Sequence, residues 1–340
     1  MASKTQGAAR RLAAWAAALL LLAAIAAAAV WLWLQRPLPL AAPTVELSIE
    51  PGTSPRQVAQ AWVDAGVQAS PTLLYQWFRW SGQDRRIRAG SYQIGSGTTP
   101  RQLLDKMVQG DEWLEKLRLG EGWTWRQVRA ALAGAPSLKP ATQGLSEAEL
   151  LQALGDAAGS IEGRFFPDTY VYSRGVSDLT VLKRAHAAMR RRLDAAWQQR
   201  SADTPLRSPE QALILASIVE KETGPKDDPA MIAMVFLNRL RIGMPLQSDP
   251  TVIYGLGEAF DGDLRKRDLQ ADAAFNTYTR AGLPPAPIAL PSAAALQAVV
   301  QPKPGKALYF VARGDGSSAF SDNLAEHNRA VNKYQRQPKP

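Results

Sequence analysis

The residues best able to do chemistry lie between Leu213 and Tyr254. There a carboxylate, Glu220, follows the apolar run Leu213-Ile214-Leu215-Ala216-Ser217-Ile218-Val219 and precedes Lys221-Glu222-Thr223-Gly224. At helical spacing Leu213, Ala216 and Ser217 share its face, a small-residue surface that leaves room beside the carboxyl. Desolvation in such a setting favours the protonated acid, which can then donate to a leaving oxygen near neutral pH. The plainer alternative is a partly exposed glutamate at a helix end. Glu222 lies two positions on, about 200° around a helix, so the two carboxyls point nearly opposite ways. They cannot form the carboxylate pair, about 5–5.5 Å apart, of a retaining glycosidase, nor an inverting pair sharing one cleft.

Polar residues cluster downstream in a chain otherwise sparing with them. Asn238-Arg239 sits on a helix, and Gly243 to Gly255 carries Gln247, Ser248, Asp249 and Tyr254. Phe275-Asn276-Thr277-Tyr278 and Gly282-Leu283-Pro284-Pro285 follow. Amides and carboxylates satisfy sugar hydroxyls and aromatic rings cover pyranose faces, so the expectation is a carbohydrate cleft. Gln247, Asp249, Tyr254, Asn276 and Tyr278 are the substrate-contact candidates, with Ser217, Glu222, Asn238 and Arg239 as supports. Each has a structural alternative. Asp249 could cap the helix that starts near Thr251, Asn238 could tie down the Glu220 helix through backbone, and Arg239 could pair with Glu222. The tyrosines could be core aromatics with wetted hydroxyls.

Composition narrows the chemistry. The 340 residues include no cysteine, which removes disulfides, thiolate metal sites and a cysteine nucleophile together. The two histidines, His186 and His327, show no zinc-type spacing, so neither a metal nor another cofactor is expected. The net charge is +9, but Lys4, Arg10, Arg11 and Arg36 stand in an acid-free N-terminus, and the mild remainder argues against a nucleic-acid partner.

Several elements must position these residues. Leu12 to Leu34 is uninterrupted apolar sequence, long enough for a membrane helix, which takes roughly 20 residues. Basic residues before it put residues 1–11 in the cytoplasm, and Trp31 and Trp33 suit an interface. A cleaved signal is the weaker alternative, with Ala41-Ala42 as a poor cleavage site. Residues 35–43, rich in proline and alanine, read as a stiff linker. A near-repeat follows. Ile49-Glu50-Pro51-Gly52-Thr53-Ser54-Pro55-Arg56-Gln57-Val58 recurs as Ile94-Gly95-Ser96-Gly97-Thr98-Thr99-Pro100-Arg101-Gln102-Leu103, with a looser copy from Leu119 to Val128. Each copy reads as strand, glycine turn, Ser/Thr cap and helix, with proline at the first helical position in the first two. Residues 44–115 therefore form an α+β module. A larger, helix-rich α+β region spans 116–335. It has a helix near Glu147–Leu154 capped by Ser146, a basic-amphipathic helix from Leu179 to about Gln199, and between them an aromatic loop from Ile161 to Tyr170.

Ala216-Ser217-Ile218-Val219-Glu220-Lys221-Glu222-Thr223, Asn238-Arg239-Leu240, Leu246 to Tyr254, Tyr278 and Gly282-Leu283-Pro284-Pro285 resemble the bacterial endolytic murein transglycosylase (YceG-like) family. Glu162-Gly163, Phe166-Pro167-Asp168-Thr169-Tyr170, Asn323-Leu324 and Glu326-His327-Asn328 resemble it too. The likeness extends over nearly the whole chain, in the family's order. It implies a single-pass inner-membrane protein, N-terminus cytoplasmic, with a periplasmic LysM-like module (44–115) and catalytic region. It implies cleavage within peptidoglycan glycan strands, leaving 1,6-anhydro-N-acetylmuramic ends, with strand termination beside peptidoglycan synthases as partners. The family's catalytic glutamate falls on Glu220. One carboxyl suffices for that reaction, acting as acid and then as base, and the linker and module would act as a ruler. A non-catalytic glycan-binding scaffold and a muramidase-type hydrolase, with Asp249 or Asp168 as second acid, stay open as rivals.

Overall fold

The computed structural model describes residues 2–157 and 159–336. The chain divides into two units, one running to Glu115 with Ser173–Gly175 added, the other holding Lys116–Tyr172 and the chain from Val176.

The first unit opens with helix α1 (Ala2–Gln35), whose stretch Ala17–Gln35 is long and apolar enough to cross a membrane. Trp31 is exposed, as an interfacial indole would be, but Trp33 packs onto the core of the module that follows and Leu34 is buried. That module runs β1 (Thr44–Ile49), α2 (Pro55–Asp64), α3 (Pro71–Trp80), β2 (Gly90–Gly95) and α4 (Pro100–Gln109). The near-repeat accounts for its frame. Ser54 with Gln57 and Thr99 with Gln102 close reciprocal capping boxes, and Pro55 and Pro100 open the helices. The strands of the two copies pair antiparallel, setting Val45 opposite Ile94 and Leu47 opposite Tyr92. Trp62, Phe78 and Tyr92 fill the space beneath, each fully buried, and their removal from water contributes roughly 2–3 kcal/mol apiece.

Residues 36–43 are not a free spacer. Leu38 is buried in this core and its N–H donates to Thr98 O (2.8 Å). Ala41 N–H donates to Gly66 O (2.8 Å) and Gln68 N–H to Pro39 O (2.8 Å). The expected linker is thus part of the module's own fold.

The second unit takes in the end of β3 (Leu114–Arg118), then α5 (Trp125–Gly134), α6 (Glu147–Leu154), β4 (Thr169–Ser173), which pairs with β3, and α7 (Asp178–Gln198). The third copy of the repeat again supports its helix, with Gln127 Oε1 accepting from Thr124 N–H (2.9 Å). Next come α8 (Pro209–Glu222), α9 (Pro229–Arg241), α10 (Asp249–Leu256), α11 (Lys266–Gln270) and α12 (Ala293–Val300), then the hairpin β5 (Tyr309–Ala312) and β6 (Ser318–Ser321), and α13 (Leu324–Val331). A helix apolar on every side must be enclosed, and α8 is: Ala212 through Val219 are all buried, with α7, α9 and α12 around them. Ser208 caps its start, accepting from Gln211 N–H (3.2 Å). Thr223 ends it, donating its hydroxyl to Val219 O (2.7 Å) before Gly224-Pro225.

Candidate active site

Glu220 occupies the last turn of α8, where the buried helix emerges. Its side chain is half-buried rather than sealed. Oε2 accepts from Ser292 N–H (2.9 Å), and among the described residues Oε1 accepts from none. Ser292 is also the N-cap of α12, its hydroxyl accepting from Ala295 N–H (3.1 Å), so the start of one helix meets the end of another at this carboxyl. The loop that brings Ser292 there is pinned from α8 itself. Ser217, fully buried, donates to Ile214 O (2.7 Å) and accepts from Ile288 N–H (3.0 Å). The room expected beside Glu220 on the Ser217 side is therefore filled by the 287–292 loop.

A second loop approaches from the start of α5. Gly122, at φ +69°, is close enough that a Cβ there would lie 3.8 Å from Glu220 Cγ. That left-handed backbone suits glycine. Gly122 N–H donates to Leu290 O (2.8 Å) and Leu290 N–H to Trp123 O (2.7 Å), which clasps the two loops together. Lys221 Nζ reaches Gly122 O at 3.4 Å. The 120–125 loop borders two concavities. One, about 590 Å³, is lined by Arg118, Glu121, Trp123 and Asp168 among others. The larger, about 940 Å³, is lined by Trp125, Arg126, Arg129, Glu162, Lys221 and Tyr254 among others. Glu220 lines neither, though its neighbour Lys221 lines the larger one.

The deeply enclosed acid here is Glu162, which little in its local sequence marks as a site residue. Its carboxylate accepts from Trp125 N–H (2.9 and 3.0 Å), Gly163 N–H (3.3 Å) and the Tyr254 hydroxyl (3.2 Å). Burial pushes its pKa up to about 7, against the lowering effect of those donors. Its signal in the sequence was an acid inside the apolar, aromatic run Ile161 to Tyr170. Tyr254, a substrate-contact candidate, lines the larger cavity, but its hydroxyl is taken by Glu162 and its ring packs on Phe275 (centroids 4.9 Å).

Glu222 faces a different set of partners, as the 200° rotation requires. Ser248 Oγ donates to it (2.6 Å), and burial, aided by the negative charge of Asp249, pushes its pKa up to about 7 while Ser248 and Arg239 oppose. Burial thus raises the pKa of Glu162 and of Glu222 alike. Ser248 stands at the N-cap of α10 but caps nothing, because its hydroxyl serves Glu222. Asp249 is exposed in the first turn and accepts from the Tyr278 hydroxyl (2.5 Å), so it is neither a cap nor alone. Gln247 is exposed with φ +50°, an unusual backbone for a non-glycine residue, held by its N–H to Thr277 O (3.0 Å).

Three expected roles need correction. Asn276 was a substrate-contact candidate, yet it is 2% exposed. Its amide donates to Asp268 O, Leu269 O and Ala271 O, and its carbonyl accepts from Tyr278 N–H. It closes a loop and has nothing left for a sugar. Asn238 bonds Gly305 O (3.2 Å) and Ala307 O (3.0 Å), so it fixes the approach to β5 rather than the Glu220 helix. Arg239 does not ion-pair with Glu222 among the described residues. Its guanidinium donates to Leu308 O (2.7 Å) and Leu246 O (2.7 Å), setting the 245–248 loop in place.

The fold and site together define a helix-rich α+β protein with a loop-held carboxyl at the end of a buried helix, beside an aromatic and charged cleft. The profile of the YceG-like family matches residues 47–333. An endolytic murein transglycosylase of Bacillus subtilis (strain 168) is 29% identical over 308 residues, 86% of this chain and 85% of that protein. One from Streptococcus pneumoniae (strain D39) is 25% identical over 84% of this chain, which spans 58% of its length. A crystal structure of a yceG-like protein from Listeria monocytogenes matches with a TM-score of 0.51 at 27% identity, covering 84% of this chain and 98% of that one. The chain belongs to the YceG-like family.

Proposed function

We propose that this protein is a membrane-anchored lytic transglycosylase that cleaves inside peptidoglycan glycan strands, with Glu220 as its catalytic group. The carrying observation is that Glu220 has one oxygen held by Ser292 N–H and the other, among the described residues, without a hydrogen-bond partner, next in sequence to Lys221 of the larger concavity. The protonated carboxyl would donate to the glycosidic oxygen between N-acetylmuramic acid and N-acetylglucosamine, which leaves as the free 4-hydroxyl. The carboxylate would then accept the proton of the muramic C6 hydroxyl as that oxygen bonds to C1. The acid is regenerated, no water is consumed, and a 1,6-anhydro end results. Half-buried Trp123 and Tyr254 offer aromatic surface for neighbouring sugars, and exposed Gln247 and Asp249 offer polar contacts.

In this reading α1 anchors the protein in the inner membrane with the N-terminus in the cytoplasm. The β1-α2-α3-β2 arrangement of residues 44–115 supports a LysM-like glycan-holding role, and residues 116–335 are the periplasmic catalytic region. Peptidoglycan synthases are the proposed neighbours, since termination requires access to strands as they emerge.

The test is mass spectrometry of products from purified glycan strands incubated with the full chain in detergent, beside Glu220→Gln. Anhydro ends formed only with Glu220 intact are the expected result. Reducing ends would make the enzyme a hydrolase. Binding without cleavage by either form would leave a scaffold.

A further inference from the structure

Helix α3 carries a surface that the proposed reaction does not use. Leu73, Trp77 and Trp80 stand at i, i+4 and i+7 on one face. Leu73 is 53% exposed and Trp80 68% exposed, large apolar groups left in the open. Arg79 on the same helix and Arg85 and Arg86 just after it are all exposed and, among the described residues, in no ion pair. Half-buried Asp84 is the acid nearest them in sequence. Exposed apolar side chains with arginines close in sequence are what the boundary between headgroups and acyl chains accepts.

The position of α3 fits that surface. Trp77 Nε1 donates to Pro100 O (3.2 Å), at the start of α4. Leu38, three residues past α1, donates its N–H to Thr98 O (2.8 Å), so one short loop is gripped from α3 and from the exit of α1. Trp33 on α1 and Trp77 on α3 pack against the same core. No free spacer separates α1 from the module, so the module follows directly on the segment that would cross the bilayer.

We infer that the Leu73–Trp80 face of α3, with Arg79, Arg85 and Arg86, docks on the anionic phospholipid surface of the membrane that α1 crosses. The inference rests on the anchored reading of α1. It makes the module a foot planted on the bilayer instead of a bead on a tether. Continuity with the membrane helix and the uncompensated arginines select lipid as the occupant.

The absence of native cysteine allows single nitroxide labels on the full chain in vesicles. Labels go at Leu73→Cys, at Leu22→Cys inside α1, and at Gln109→Cys at the far end of α4. Accessibility to oxygen and to a water-soluble nickel chelate is then compared in phosphatidylethanolamine/phosphatidylglycerol and in pure phosphatidylcholine. Expected is an oxygen-favoured environment at Leu22 in both lipids, and at Leu73 in the anionic vesicles, with Gln109 in water. Arg79→Glu/Arg85→Glu/Arg86→Glu should return the Leu73 label to water and leave Leu22 unmoved. A Leu73 label as nickel-accessible as Gln109, with Leu22 in the hydrocarbon, overturns the docking alone. One shielded from both reagents means that protein covers the face, and also overturns it. A water-exposed Leu22 removes the anchored reading and the docking with it.

Discussion

Replacing Glu162 by glutamine isolates the effect of one buried acid. In the folded protein its pKa lies at about 7, and the ordinary value is 4.5. At about 1.4 kcal/mol per pH unit that gap is worth about 3 kcal/mol. The folded protein holds this proton more tightly than the unfolded chain. Stability is therefore greatest below about 4.5, declines as pH rises through the window to about 7, and levels off above it. Roughly 2.5 kcal/mol of the change falls between pH 5 and pH 8. Glutamine cannot ionise. Its amide oxygen can still accept from Trp125 N–H, and its NH₂ can donate to the Tyr254 oxygen, so the hydrogen-bond frame survives. Wild type should gain about 2.5 kcal/mol relative to Glu162→Gln on moving from pH 8 to pH 5. The assay is urea unfolding of both full-length proteins in non-ionic detergent, followed by tryptophan fluorescence. Comparing variants at each pH cancels the titration of Glu222 and other shared groups. A difference that stays constant across this range, or that grows in favour of wild type as pH rises, would refute the buried-proton argument.

Other substitutions separate support from substrate contact. Ser217→Ala leaves Ile288 N–H buried without an acceptor. It should cost about 1–3 kcal/mol in urea unfolding, and should lower kcat more than it raises KM, because the same loop delivers Ser292 to Glu220. Asn276→Ala removes four hydrogen bonds from a closed loop and should cost about 2–3 kcal/mol. Glycan affinity of the folded fraction, measured by co-sedimentation, should be unchanged. Gln247→Gly relieves the positive φ while adding chain entropy, so stability should stay within about 0.5 kcal/mol. KM for glycan strands should rise, and an unchanged KM would remove Gln247 from the contact set.

What the sequence disclosed and what it concealed divide along a physical line. Local signals carried: Ser54-Pro55, Thr99-Pro100 and Ser146 mark helix starts because a cap bonds N–H groups two or three residues away. Leu213 to Val219 reads as apolar sequence beside Glu220, and the half-buried carboxyl in the last helical turn is the plainer of the two alternatives it left open. Long-range backbone partners were hidden. Asn238 finds Gly305 and Ala307, and Arg239 finds Leu308, nearly 70 residues away, through carbonyls that every residue type possesses. An amide or guanidinium in a polar loop looks equally fit for a sugar or for such a carbonyl, so Asn276 was read as a sugar contact. Glu162 was obscured for the opposite reason. Its donors are backbone N–H groups of Trp125 and Gly163 and a distant tyrosine, Tyr254, so no charged partner in the sequence pointed to it. Residues 36–43 look like a spacer for the same reason, since Pro39 and Ala41 join the module through backbone groups. Where function rests on main-chain groups, as at Ser292 N–H on Glu220, residue identity says little and only the fold reveals the partner.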